Sequence, residues 1–456
     1  MRPLVLAALV ALASAPASVS AEPIAAPEPE PRPLGLDIRR AQLPNGLRVV
    51  LAVDPTSPTV AVDVVYDVGA RNEVPGRSGF AHLFEHMMFQ GSSRVPRGEH
   101  FRLVTAHGGT LNGTTSSDRT NYFELLPRSE LPLALWLEAD RMKSLDISQS
   151  NFENQRQVVK EEYRMRIENR PYAPANIELQ ATVFEGHFPY SHATIGTMAD
   201  LDSASLDWVR AFHNSYYAPN NAVLAIAGDI DPDETLRLVR QIFGDAKPVA
   251  NVPKYPGGTV PEQTAERQRT VNDPHAKLPA VFYGWAAPAS RQREHYALEL
   301  AAMALGDGES SRLYRKLVRE QSQALEVDVS LWGHRGPDMF EIDVKLAASG
   351  SLARVQSVVE EEIDSLARNG PTPAELTKLR QRIKHGFLFG LQSNYARAQQ
   401  LAEFELYWGD ATLLRSELGH YLTVSADDIR RAVASTLTKA RRSRIEVRPR
   451  TEGAVQ

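Results

Sequence analysis

The chain contains no cysteine. No disulfide can brace it, no thiolate can hold a metal, and no lipid can be carried on a cysteine at a processing site, so any bound metal must be held by histidine and carboxylates. Charge of one sign is also missing. The formal net charge is −5 over 456 residues, without the surplus of Lys and Arg that general affinity for nucleic acid or anionic lipid requires. Membrane-spanning runs are absent as well. The apolar stretch Leu4–Ala13 is too short to cross a bilayer, and no other stretch approaches the necessary length.

What is present at the start is the layout of a cleavable export signal over residues 1–21: Arg2, that apolar run, then small residues ending Val19-Ser20-Ala21. Export without cysteine fits a bacterial periplasm or the cell exterior, and the periplasm is the expected location. Residues 22–35 (EPIAAPEPEPRPLG) carry prolines and acids that cannot build a core and read as an extended tether. The remainder, in a chain that is 43% hydrophobic and 23% charged, is long enough for two globular domains. A Pro/Gly-rich stretch at 248–261 (PVANVPKYPGGTVP) places the boundary between them, giving domains at 36–249 and 250–450.

The two halves read in the same order. Alternating apolar runs flank the Asn45-Gly46 turn, a helix is expected over 80–89, strands near 109–116 and 121–126, and helical patterns through 131–170. In the second half, strands near 280–286, 325–332 and 339–346 alternate with helical patterns over 295–305, 352–367 and 373–402. The parallel predicts a duplicated α+β unit of roughly 200 residues.

The sharpest chemical signal is Phe80-Ala-His82-Leu-Phe-Glu85-His86-Met-Met-Phe89. His82 and His86 are four apart, so their rings project from adjacent helical turns and can close on one zinc ion. Glu85 lies beside them without having to be a ligand, within reach of the attacking water. The pattern is H-x-x-E-H, the inverted form of the H-E-x-x-H zinc signature. The competing reading is two histidines and a glutamate hydrogen-bonded on a partly exposed helix face.

The surrounding residues resemble the pitrilysin and insulinase superfamily (M16), specifically its half-length bacterial members related to mitochondrial processing peptidase. The resemblance rests on Val68-Gly69-Ala70-Arg71-Asn72-Glu73, Gly108-Gly109-Thr110-Leu111-Asn112-Gly113-Thr114-Thr115, residues 152–162 (FENQRQVVKEE), Asn169-Arg170-Pro171-Tyr172, and Tyr217-Ala-Pro-Asn-Asn with Ala227-Gly228-Asp229. It covers nearly all of the mature first half and, more weakly, the second. It implies an α+β fold of two homologous domains, each a mostly antiparallel sheet packed with helices, forming half of a clamshell chamber. It also implies one zinc per chain, with Glu162 as third ligand beside His82 and His86. Glu161 is the runner-up, but neighbours on a helix point about 100° apart, so only one can face the ion. The implied activity is hydrolysis of peptide bonds in extended peptides, with Glu85 moving the proton. The peptide would pair with a strand edge that includes Asn112, Gly113 and Thr114, although Asn112-Gly113 also reads as an ordinary turn.

Three departures qualify the likeness. Gly113 stands where relatives often have Ala. Gln155 stands where the family often has a carboxylate, and it can hydrogen-bond a ligating histidine but supplies no charge. In the second domain Arg319 matches the family's peptide-holding Arg, yet Glu326 occupies the position of its Tyr. Because half-length members form dimers, the resemblance favours a heterodimer with a homologous subunit supplying the Arg/Tyr pair, and otherwise a homodimer. The rival function is a non-catalytic assembly or binding subunit of the same fold. Gly306-Asp-Gly308-Glu-Ser-Ser-Arg312-Leu-Tyr314 lacks the Gly-Lys-Ser/Thr ending of a phosphate loop and reads as a connection between helices. His107, His187, His192 and His213 show no ligand spacing and read as surface or structural residues.

Overall fold

The computed structural model describes residues 34–255 and 257–449; the export signal and most of the tether lie outside them. Eleven strands among these residues form two sheets. The first-half strands are β1 (Ile38–Gln42), β2 (Arg48–Val53), β3 (Thr59–Tyr66), β4 (Thr110–Thr115), β5 (Thr120–Pro127) and β6 (Ala222–Gly228). The second half supplies β7 (Arg267–Asp273), β8 (Ala280–Ala287), β9 (Ala324–Leu331), β10 (Asp338–Leu346) and β11 (Ser443–Pro449). Among the described residues between Phe243 and Arg267, the stretch joining the halves, neither helix nor strand is formed.

The order is β1-β2-β6-β3-β5-β4 in one sheet and β7-β11-β8-β10-β9 in the other. Setting β1 aside, both sheets run first, fifth, second, fourth, third strand of their half. In both, the first and fifth strands pair parallel while the other neighbours are antiparallel. Identical topology and identical strand polarity establish the duplication that element order alone suggested.

Helices labelled here are α1 (Phe80–Met87), α2 (Glu99–Ala106), α3 (Leu131–Ser144), α4 (Gln149–Tyr163) and α5 (Ala173–Val183). One face of the first sheet, with Val60, Val62, Val64 and Tyr66 of β3, packs on Leu83, Phe84 and Met87 of α1 and Leu135 of α3. The second sheet covers Val281, Tyr283, Phe340 and Ile342 with Leu298, Val355 and Ile429 in the same manner.

The other face of each sheet is covered by a helix from the opposite half. Ala398, Leu401, Ala402, Phe404 and Leu406 of the Asn394–Trp408 helix pack on Val50, Ala61, Val65, Val223 and Ala225. Reciprocally, α5 packs Leu179 and Val183 on Phe282, Met339, Ile445 and Val447. Each is the third helix after the fourth strand of its half, so equivalent elements are exchanged. Burying Leu401, Phe404 and Leu406 contributes about 5–9 kcal/mol before opposing entropy, comparable with the net stability of a whole domain.

The helical patterns over 131–170 are two helices, α3 and α4, followed by a π-helical turn at Arg164–Glu168. Two details differ from the sequence reading. The pattern over 373–402 breaks into Pro373–Gly390 and Asn394–Trp408, the latter capped by Ser393, whose side chain accepts from the N–H of Ala396. β1 and β7 (IRRAQ and RQRTVND) have no apolar alternation because they are sheet edges, mostly open to solvent.

Candidate metal centre

Helix α1 carries His82, Glu85 and His86 on one side and sinks Phe80, Ala81, Leu83, Phe84 and Met87 into the first core. With only eight residues it would be marginal alone, and its start is held by a buried carboxylate. Glu73 accepts the N–H of Gly79 at 2.9 Å and of Ala81 at 2.8 Å, placing negative charge at the positive end of the helix. His192 closes the arrangement, its Nε2 lying 3.0 Å from Glu73 and its Nδ1 2.9 Å from the carbonyl of Phe188. Burial raises the Glu73 pKa, with the His192 bond opposing. Burial lowers that of His192, but the bond and charge of Glu73 more than offset this and leave it raised. Gly79 and Gly196 allow the 192–196 loop to pass against the helix start: a Cβ on Gly79 would sit 2.6 Å from the Ile195 carbonyl oxygen.

Glu162 comes from α4 and meets the two rings. Its Oε2 lies 3.2 Å from His86 Nε2 and 3.8 Å from His82 Nε2. The ring centroids are 4.8 Å apart at 75°. Tetrahedral ligands at zinc's usual bond lengths are about 3.3 Å from one another, so the three donors fit one zinc ion with small adjustment. Glu161 points away and pairs with Arg164 at 2.6 Å, 64% exposed against 12% for the Glu162 side chain. The other Glu162 oxygen, Oε1, takes Arg166 Nε at 2.9 Å.

Without an ion, burial and then the neighbouring His86 depress the His82 pKa to about 4, with Glu162 opposing. The Glu162 pKa is lowered, first by the hydrogen bond from His86. His82 therefore stays neutral and Glu162 charged, the protonation states that metal ligation needs.

Glu85 faces β4. Thr115 donates to its Oε2 at 2.5 Å. Burial raises the Glu85 pKa while that bond works against the rise. An open cavity of about 1080 Å³ is lined by the three donors, Glu85, and Asn112, Gly113, Thr114 and Thr115 of β4. Among the described residues β4 is the last strand of its sheet, and no strand pairs with its outer edge. Three of the seven large exposed apolar residues among the described residues, Phe101, Val158 and Met165, also line this cavity.

The structure thus brings His82, Glu85, His86, Glu162, Asn112, Gly113 and Thr114 together. Arg319 is elsewhere: it lies in a π-helical stretch of the second half (Tyr314–Glu320), 61% exposed and 3.7 Å from Glu309, outside the cavity lining. Glu326 pairs with Lys345 on the adjacent strand. Gln155 is buried at the cavity wall and donates to Asn154 at 2.8 Å rather than to either histidine. His192 proves to be structural, as expected, but its tie to Glu73 and the capping role of Glu73 were not visible in the sequence, where no capping residue precedes Phe80 at the usual spacing. A second group, His100, Glu124 and Glu138, could also hold a metal by distance. Arg141 already ion-pairs with both of its carboxylates, so the site is filled by a cation of the chain itself.

Comparison with known proteins agrees with this picture. The family model described as insulinase (peptidase family M16) matches residues 48–189, and that described as the peptidase M16 inactive domain matches residues 203–383. The zinc protease PqqE of Helicobacter pylori is 30% identical over 396 residues, covering 85% of this chain and 87% of its own length. A protease from Helicobacter pylori of known crystal structure superposes with a TM-score of 0.85 at 28% identity, covering 91% of this chain and all of that one. Crystalline pitrilysin shares the fold with a TM-score of 0.74 at 18% identity, and the match spans 93% of this chain but 46% of pitrilysin.

Proposed function

The chain belongs to the insulinase family of peptidases, M16, and we propose that it is an exported zinc metallopeptidase that hydrolyses peptide bonds in extended peptides. The observation that carries this reading is the convergence of His82, His86 and Glu162 beside Glu85, in an open cavity against the outer edge of β4. Zinc, one per chain, would be held by Nε2 of both histidines and a carboxylate oxygen of Glu162, and would supply the Lewis acidity that activates water and polarises the scissile carbonyl. Glu85 takes the proton of the attacking water and returns it to the leaving amine. Thr115 fixes one of its oxygens, which leaves the other to work. The β4 edge aligns the peptide by main-chain pairing, which tolerates many side-chain sequences. Phe101, Val158 and Met165 offer apolar surface to the peptide's side chains.

The test is a quenched peptide with zinc analysis. Glu85→Gln abolishes turnover and keeps one zinc per chain, whereas Glu162→Gln loses zinc. Unimpaired hydrolysis by Glu85→Gln would remove that residue from its role. A zinc-free wild-type protein that cleaves nothing would instead support a non-catalytic binding subunit.

Two further proposals accompany this one. The first 21 residues direct export to the periplasm, so protein from that compartment begins at Glu22, and a cytoplasmic form retaining Met1 would refute it. The working form is a dimer, because Arg319 stands outside this chain's own cavity and the chain matches about half of pitrilysin. Glu326 in place of Tyr favours a homologous partner over a second copy. Purification from the native source with no such partner attached counts against the heterodimer.

A further inference from the structure

The turn joining β4 to β5 is tied to the second half of the chain at every residue from 117 to 119. Asp118, 3% exposed, accepts from Arg71 Nη1 at 2.9 Å, from the Tyr190 hydroxyl at 2.6 Å and from the backbone N–H of Arg335 at 2.9 Å. Ser117 Oγ lies 3.5 Å from His334 Nε2. Arg119, also buried, donates through Nε to Glu403 Oε1 at 3.0 Å, on the exchanged Asn394–Trp408 helix. Its Nη1 donates to the carbonyl of Thr114 at 3.2 Å and to both Thr114 Oγ1 (2.5 Å) and Asn121 Oδ1 (3.2 Å). Asn121 in turn donates to Asp63 at 2.9 Å, in the middle of β3. One buried guanidinium therefore joins the cavity-lining end of β4 to a helix of the other half.

We infer that Arg119 is a positioning residue for peptide binding, holding Thr114 and the outer edge of β4 in register against the second half through Glu403. The inference rests on β4 being the peptide-binding edge proposed above. Arg119 contacts neither the three metal donors nor Glu85, whose carboxyl feels its charge only as the least of its neighbours' effects. Its loss should therefore change how firmly a peptide is held and leave zinc content alone. The Nε and Nη1 donors of one planar guanidinium serve Glu403, Thr114 and Asn121 at once; an ammonium cannot span all three.

The experiment uses the zinc-loaded full chain, a fluorescein-labelled unstructured casein peptide, and anisotropy in a Glu85→Gln background, with KM and kcat measured in parallel in the wild-type background. Arg119→Met weakens peptide binding about tenfold, the worth of one charge-assisted hydrogen bond to the strand, and raises KM by a similar factor. Zinc content is unchanged and kcat falls less than about twofold. Arg119→Lys recovers part of the affinity, and Glu403→Gln loses about threefold, since it keeps an acceptor but not the charge. Peptide affinity equal to that of the parent, a proportional fall of kcat and zinc with KM unchanged, or no peptide binding by the parent chain would each overturn the inference. Arg119-dependent binding by a wild-type chain that cleaves nothing would uphold it and refute the proposed activity instead.

Discussion

Removing the carboxylate of Glu73 should both loosen the fold and weaken the metal site, although Glu73 is no ligand. Its side chain is fully buried, and in Glu73→Ala the N–H groups of Gly79 and Ala81 and the Nε2 of His192 all lose their partner. A buried polar group left unpaired costs about 1–3 kcal/mol. Two helix N–H groups and a ring nitrogen, partly compensated by entering water, therefore cost about 3–5 kcal/mol. At about 2–4 °C per kcal/mol for a unit of this size, the unfolding midpoint of the first half falls by about 6–20 °C. The measurement is made on zinc-free protein, so that metal binding does not add to the folded state's stability. The start of α1 also sets where His82 sits one residue beyond Ala81, so zinc affinity, read by competition with a chromophoric chelator, falls about 10–100-fold, as for loss of other groups that orient ligands. Glu73→Gln keeps one acceptor but turns an NH₂ group toward a donor, and should lie between wild type and Ala on both scales. A Glu73→Ala protein that melts within about 2 °C of wild type and holds zinc as tightly would show that the helix start is fixed by something other than this carboxylate.

Two further outcomes follow from local geometry and charge. A Cβ on Gly113 would lie 3.1 Å from Tyr122 Cδ1 and 3.2 Å from both Glu85 Cγ and Phe89 Cε2; Gly113→Ala makes these neighbours give by a few tenths of an ångström and should lower kcat much less than Gly113→Val, which displaces Glu85 and lowers kcat about 10–100-fold with zinc retained. Wild-type kcat in the Val variant would refute this. In the second half, the hydrogen bond from Arg312 holds the Glu375 carboxyl at about 2, below its ordinary 4.5. A depressed carboxylate pKa stabilises the fold above the unfolded-state value and loses that contribution as pH falls from about 4.5 toward 2. Glu375→Gln should thus cost about 1 kcal/mol at neutral pH, after discounting for partial exposure, and nothing near pH 2, as read from unfolding midpoints across that range. An undiminished cost at the acid end would show that packing, not charge, is responsible.

What could be read from the residues alone depended on whether spacing or burial carried the information. His82, Glu85 and His86 are legible because a helix repeats every 3.6 residues and places them together. Glu162 and Glu161 are chemically identical neighbours, and the family likeness was needed to choose between them; in the structure α4 turns Glu162 toward the two rings and Glu161 to solvent. Glu73, Arg119 and Asp118 look like ordinary surface charges in sequence, and only the fold buries each against its partners, Glu73 against the start of α1 and His192, Asp118 against Arg71 and Tyr190, Arg119 against Glu403. The duplicated architecture was legible in outline, whereas β1 and β7 were not, because an edge strand needs no apolar alternation. The break at 391–393 was missed because the apolar pattern runs across it, although Ser393 stands at the N-cap position of the helix that follows.

The traded helices have an implication for how such a chain can be dissected. A single repeat arranged as here would present Val50, Ala61, Val65 and Val223 to water, and the same holds for the sister surface under α5. Two copies of one repeat that lent each other this helix would cover both surfaces, the arrangement that this chain holds within one polypeptide. Cutting at the 244–266 connection should accordingly yield two fragments that reassemble when expressed together and precipitate when expressed apart.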